Sequence, residues 1–182
     1  MKIGLANQIS LVRIFCIPFF IFFLFKGGEF IAFLIFIFAS FSDFLDGYIA
    51  RKRDAVSSTG KIIDPLADKV FVYAIFLCFI QLHLIPFWMV IIILGRDFLV
   101  MGLRVKLAER GIVSSSIKSA KIKTFAQYVV IVFVFLSLIC NDYLGVKIKS
   151  AELITFILMF ITTLLAIISG IQYWINSKEY VL

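Results

Sequence analysis

Long apolar runs, broken only by short polar connectors, constrain this chain more than any other feature. The runs cover residues 8–25, 30–50, 62–80, 86–107, 121–139 and 152–174. A helix needs about 20 apolar residues to cross the hydrocarbon core of a bilayer. Six such helices use roughly 120 residues of the 182 present, which leaves loops and no second domain. Composition agrees. Apolar residues make up 63% and charged residues 16%, where a soluble domain averages about 45–50% and about 25%. A transmembrane barrel would show segments of roughly ten residues with alternating polarity, and these runs do not alternate. The expected fold class is all-α: a polytopic membrane protein with six transmembrane helices, forming one integral-membrane domain over residues 1–182.

The formal net charge is +7. On a soluble chain that would suggest nucleic-acid binding, but the distribution of the charge gives a different reason for it. With the spans above, one side of the membrane carries Lys26, Lys147 and Lys149. The other carries Lys2, Arg51, Lys52, Arg53, Lys61, Arg104, Lys106, Arg110, Lys118, Lys121, Lys123 and Lys178. Lys and Arg accumulate on cytoplasmic loops. The expected location is the inner, cytoplasmic membrane, multi-pass, with both termini inside, a lipid bilayer as partner and no nucleic acid. Cys16, Cys78 and Cys140 form no CxxC pair and have no histidine cluster, so neither a zinc site nor a disulfide framework is expected. Lys2 precedes an apolar run as in a signal peptide. That run continues to Phe25 without an A-x-A site, which favours a retained first span. His83, the only histidine, falls in a short outer loop and reads as a surface residue. Trp88, Trp174 and the tyrosines suit membrane interfaces, with the 22 phenylalanines facing lipid.

Polar chemistry concentrates where the second run ends and the third begins. The second closes on Ser42-Asp43-Phe44-Leu45-Asp46-Gly47-Tyr48-Ile49-Ala50-Arg51, and the third opens on Gly60-Lys61-Ile62-Ile63-Asp64-Pro65-Leu66-Ala67-Asp68. Asp43, Asp46, Gly47 and Ala50 are spaced i, i+3, i+4, i+7 and share one helix face; Gly60, Asp64 and Asp68 share another. The short loop makes the two helices antiparallel neighbours, so four carboxylates converge near the cytoplasmic edge. Ionisable groups at membrane depth are costly and mark functional sites. Four acids on facing helices do not all stay ionised without a cation. Protons and monovalent ions are open readings, but hard divalent cations suit carboxylate oxygens best. Mg2+ is typically held by a few carboxylates together with substrate phosphates. Gly47, Ala50 and Gly60 remove bulk, which lets a helix or a flat ligand approach closely. The structural alternative is a salt-bridge cluster of these acids with Arg51, Lys61 and Lys69.

The string D-x2-D-G-x2-A-R-x8-G-x3-D-x3-D, filled here by Asp43, Asp46, Gly47, Ala50, Arg51, Gly60, Asp64 and Asp68, resembles the signature of the CDP-alcohol phosphotransferases. The resemblance implies six transmembrane helices, a homodimer, and a divalent-metal site at the cytoplasmic surface holding one or two Mg2+ or Mn2+ ions. It implies attack of an alcohol on a CDP-linked lipid with release of CMP. By the same resemblance Asp43, Asp46 and Asp64 hold metal. Asp68 completes the metal site, serves as general base on the acceptor hydroxyl, or does both. Gly47, Ala50, Arg51 and Gly60 make room for the cytidine nucleotide of CDP-diacylglycerol and contact it. The metal chemistry suits phosphoryl transfer, where bound cations neutralise pyrophosphate oxygens.

The remaining polar residues bear on the acceptor. Arg96 and Arg104 are eight residues apart in the fourth run and face broadly the same way. Arg96 beside Asp97 also reads as a buried ion pair. Lys121, Lys123, Thr124 and Gln127 open the fifth run, where a lysine pair also reads as a headgroup contact. Together with Asn7, Ser10, Leu11 and Arg13, and Gln172-Tyr173 near the end, these residues resemble the phosphatidylglycerophosphate-synthase subfamily. Asp97 stands where that subfamily has Glu, Ala120 where it has Gly, and Leu5-Ala6-Asn7-Gln8 departs from its N-I-P-N. Its acceptor is sn-glycerol 3-phosphate, whose phosphate must be held away from the attacked phosphorus, a task for cations. The expected phosphate site is Arg104, Lys121 and Lys123, with Asn7, Arg96, Thr124 and Gln127 as acceptor or structural residues. Other acceptors under the same chemistry are phosphatidylglycerol, giving cardiolipin, and an inositol phosphate. A cation-coupled transporter is the rival from another class, although neither an inverted repeat nor a broken helix is visible.

Overall fold

The computed structural model describes the backbone of residues 5–53, 60–110, 118–145 and 150–181, and the side chains of 13–41, 69–107, 109–110, 119–143, 145 and 150–177. Within these residues the chain is all-helical, without a strand. The six helices are α1 (Leu5–Phe25), α2 (Glu29–Arg53), α3 (Gly60–Gln81), α4 (Phe87–Glu109), α5 (Lys118–Leu144) and α6 (Ala151–Val181). Each expected apolar run is one helix. The ends differ where the run stops and the helix does not: α5 continues to Leu144 and α6 to Val181.

Two helix ends show how the turns are made. After α1, Gly27 takes a left-handed φ of 76°, and the Gly28 N–H donates to the Phe23 carbonyl at 2.9 Å. After α3, His83 takes φ 58°; its N–H donates to Ile80 and the Leu84 N–H to Phe79, both at 2.9 Å. The α3 end is a full Schellman closure, in which a left-handed residue returns two N–H groups to the last helical carbonyls, and the α1 end makes the outer of those two bonds.

The chain divides into two compact units, Met1–Cys78 with Asp142–Leu144, and Phe79–Asn141 with Gly145–Leu182. In the first, α1 packs along α2. Phe20 and Leu24 of α1, Ala32, Phe36 and Ala39 of α2, and Phe71, Val72, Ile75 and Phe76 of α3 are buried. The α2 positions recur at i, i+4, i+7, one helical stripe. Phe20 meets Phe71 edge-on at 6.0 Å between ring centroids, the arrangement that the aromatic quadrupole favours.

In the second unit α4 packs along α6. The buried stripe of α4 runs Met89, Ile93, Asp97, Val100, Leu107, and that of α5 runs Lys123, Gln127, Val130, Ile131, Val134, Phe135. The α6 stripe is small or hydroxylic over much of its length: Thr155, Met159, Thr162, Thr163, Ala166, Ser169, Tyr173, Ser177. The hydroxyls of Thr162, Thr163 and Ser169 donate to carbonyls of their own helix, at 2.8, 2.8 and 3.0 Å. These three hydroxyls in the packed face are thereby satisfied within α6.

Ser119–Tyr143 and Ala151–Ser177 are each long and apolar enough to cross a membrane. Only 33% of each apolar window is buried, so most of its apolar surface points outward. Phe156, Phe160, Leu164, Ile171 and Trp174 of α6, and Phe15, Phe19 and Phe22 of α1, are exposed. So much exposed apolar surface on single helices is foreign to a monomer in water.

Candidate active site

The acidic motif lies on helical backbone throughout. Positions 43, 46, 47, 50 and 51 fall in the last turns of α2, and 60, 64 and 68 in the first turns of α3. The i, i+3, i+4, i+7 spacing is thus realised in the conformation that gives it meaning. The side chains of Asp43, Asp46, Gly47, Ala50, Arg51, Gly60, Asp64 and Asp68 lie outside the described residues, as does that of Asn7. Among the described residues no group of three or more His, Cys, Asp or Glu side chains is placed to hold a metal ion. Arg13 is buried on α1.

The basic residues expected at the acceptor site are described, and the structure sorts them into two groups. Lys123 is 2% exposed and Asp97 3%. The Lys123 ammonium donates to both Asp97 oxygens, at 2.8 Å to Oδ1 and 2.7 Å to Oδ2. Arg96 Nη1 donates to the same Oδ1 at 2.8 Å. Arg96 thus makes the ion pair that its neighbour in sequence suggested, while its Nε and Nη2 are buried with no partner among the described residues. A cation buried this deeply is tolerated when it is paired and hydrogen-bonded. Gly170 of α6 makes room for the arginine, since a Cβ there would stand 2.9 Å from Arg96 Cγ. Gln127 is buried on the same stripe of α5 as Lys123.

Arg104 and Lys121 form the second group. Both are exposed. With Ala120, Thr124, Phe125 and Tyr128 they line a pocket of about 400 Å³ between α4 and α5. Among the described residues no carboxylate is in the lining, so this part of the site is electrostatically suited to an anion. Thr124 Oγ1 donates to the Ala120 carbonyl at 3.1 Å. Arg104 Nε donates to the Tyr173 hydroxyl at 2.9 Å, and its Cζ lies 5.3 Å from the centroid of that ring.

Lys121 and Lys123 therefore part company. Residues two apart on a helix point to different sides, so the pair splits, with Lys121 at the pocket and Lys123 in the core. Asp97 carried the signal for this, because a carboxylate within an apolar run needs a partner. Gly170 and Tyr173 were missed as contributors. Tyr173 entered only through the resemblance of Gln172-Tyr173, and a glycine in a long apolar run carries no mark of what passes beside it. A larger groove of about 1180 Å³ lies along α4 and α6. Its lining is mainly aliphatic and aromatic, which fits apolar occupants better than a small phosphate.

Fold and site together define a protein of membrane-spanning composition, all-helical among the described residues, with an acidic motif on α2 and α3 and a pocket lined by two cations from α4 and α5. Residues 3–175 match the CDP-alcohol phosphatidyltransferase family, and the chain belongs to it. It is 36% identical over 191 residues to the CDP-diacylglycerol–glycerol-3-phosphate 3-phosphatidyltransferase of Bacillus subtilis (strain 168), covering 97% of this chain and 96% of that one. It is 33% identical to the protein of the same name from Rickettsia felis, over 97% of both chains. It is 34% identical to that from Haemophilus influenzae, over 95% of this chain and 92% of the relative.

Proposed function

We propose that this protein transfers the phosphatidyl group of CDP-diacylglycerol to sn-glycerol 3-phosphate, giving phosphatidylglycerophosphate and CMP in anionic phospholipid synthesis. The observation that carries the reading is the pair of exposed cations, Arg104 and Lys121, at a pocket whose described lining holds no carboxylate. Relatives bearing that activity in their names match nearly the whole chain, which supports the donor and the acceptor alike. An acceptor without a phosphate has no use for two cations there.

In this reading the six helices all span the inner membrane, as one catalytic domain with both termini in the cytoplasm, and the protein works as a homodimer. Asp43, Asp46, Asp64 and Asp68 supply only carboxylate oxygens, the donor set of hard divalent cations, and would hold one or two Mg2+ or Mn2+ ions. Such ions neutralise pyrophosphate oxygens and the departing phosphate. Gly47, Ala50, Arg51 and Gly60 accommodate the cytidine nucleotide. Arg104 and Lys121 hold the acceptor phosphate, with Thr124 beside them. Lys123, tied to Asp97 with Arg96, fixes the start of α5 against α4 and so holds Lys121 in place. Asp68 takes the proton of the attacking hydroxyl. The new P–O bond forms at the phosphatidyl phosphorus as its bond to CMP breaks.

The test is CMP release by the purified protein with CDP-diacylglycerol and Mg2+, offering one acceptor at a time. Release with glycerol 3-phosphate is expected, and none with serine, inositol phosphate or phosphatidylglycerol. Release with a different acceptor would overturn the reading of the pocket. Cation flux in liposomes lacking CDP-lipid, with no CMP release, would overturn the enzyme itself.

A further inference from the structure

Tyr173 is 1% exposed and sits on the packed stripe of α6, so its ring is fixed by its surroundings. Arg104 is exposed, and an exposed arginine unattached to anything samples many rotamers, all but one of which binding would have to remove. Two contacts limit that freedom. The Tyr173 hydroxyl accepts the Nε–H at 2.9 Å, which sets the direction of one edge of the guanidinium. The aromatic ring, 5.3 Å from Cζ, sets where the group lies. With the Nε edge engaged, Nη1 and Nη2 form the remaining fork, and among the described residues no acceptor takes their hydrogens. That fork is the part of arginine that matches a phosphate with two parallel hydrogen bonds. Arg104 also lines the pocket that holds Lys121 and Thr124.

We infer that Tyr173 is a positioning residue for Arg104: it holds the guanidinium so that the Nη fork is already directed at the phosphate of the acceptor. The inference deepens the acceptor reading above and rests on it. Tyr173 touches neither substrate nor the reacting atoms in this role. It acts on acceptor affinity through Arg104 alone.

The experiment compares wild type, Y173F, R104Q and the double variant by CMP release in detergent. KM is measured separately for glycerol 3-phosphate and CDP-diacylglycerol, and the melting temperature of each protein is recorded. Y173F keeps the ring and removes the acceptor oxygen. It is expected to raise the KM for glycerol 3-phosphate roughly 3–10-fold, the scale of one hydrogen bond, with kcat and the CDP-diacylglycerol KM unchanged. In the R104Q background Y173F is expected to add nothing. An equal rise there would mean that Tyr173 acts independently of Arg104, and the inference falls. If R104Q raises the acceptor KM and Y173F does not, the inference falls while the acceptor reading stands. If R104Q leaves that KM unchanged, the acceptor reading falls first. A Y173F effect on both KM values together with a lowered melting temperature would show a structural role only, and would also overturn the inference. Should Y173F not accumulate as folded protein, R104K decides, because it keeps the charge but loses the Nε–H. An unchanged acceptor KM in R104K overturns the inference.

Discussion

Lys123 Nζ lies within 2.8 Å of both carboxylate oxygens of Asp97, joining α5 to α4 across 26 residues of sequence. Both side chains are almost wholly excluded from solvent. Desolvation of two charges offsets much of their attraction, so the pair is worth far less than the loss of either member alone.

Removing one partner is therefore the sensitive test. Asp97→Ala should lower stability by about 3–5 kcal/mol, because it strands the buried Lys123 ammonium; Lys123→Met should cost less, because Arg96 still pairs with Asp97. The double variant should cost less than the sum of the two. Thermal unfolding in one detergent checks both statements, and additive single effects would contradict the pairing.

Three glycines on α4 and α6 should respond differently to one methyl group. At Gly170 a Cβ meets Arg96 Cγ at 2.9 Å, and the Arg96 guanidinium is anchored to Asp97. Gly170→Ala should cost about 1–3 kcal/mol through overpacking. Gly95 and Gly102 have nothing within 4 Å of an added Cβ. Alanine at either should stabilise by about 0.5–1 kcal/mol through helix propensity. The signs of the melting-temperature shifts decide the matter.

His83 is the one non-glycine residue with positive φ among those described. A left-handed backbone costs a β-carbon roughly 1–2 kcal/mol, so His83→Gly should raise stability by about 1 kcal/mol. Gly27→Ala, at φ 76°, should lower it by a similar amount. If the His83 side chain had a catalytic part, His83→Gly would abolish CMP release; full activity in the more stable variant is expected.

The acidic motif predicts its own dependence. CMP release should vanish on chelation and return on adding Mg2+. Asp68→Asn should lose at least 100-fold in kcat, the lower range for a lost general base, at native levels of folded protein. Retained activity in folded Asp68→Asn would remove that residue from the chemistry.

The helices were legible because each expected run is long enough to be one element and each connector too short to be another. Their ends were less so. Propagation of a helix needs only that each added residue keep its hydrogen bond, so α6 continues past Trp174 to Val181 although the apolar run stops. The spacing of Asp43, Asp46, Gly47 and Ala50 was readable because it depends on one helix alone. The roles of Lys121 and Lys123 were not separable, because sequence shows adjacency while the core-facing side of α5 is set by what packs on it. The same holds for Gly170, whose importance is defined by an arginine 74 positions away.

The hydroxyl stripe of α6 has one more consequence. Because Thr162, Thr163 and Ser169 spend their hydrogens on their own helix, those hydrogens are not available to tie α6 to α4. Packed side chains still hold the two helices in register. Two polar or steric pins add to that packing, the notch at Gly170 that receives Arg96 and the latch of Tyr173 on Arg104. Both pins lie within one turn of α6, so a single misaligned turn would release both arginines together.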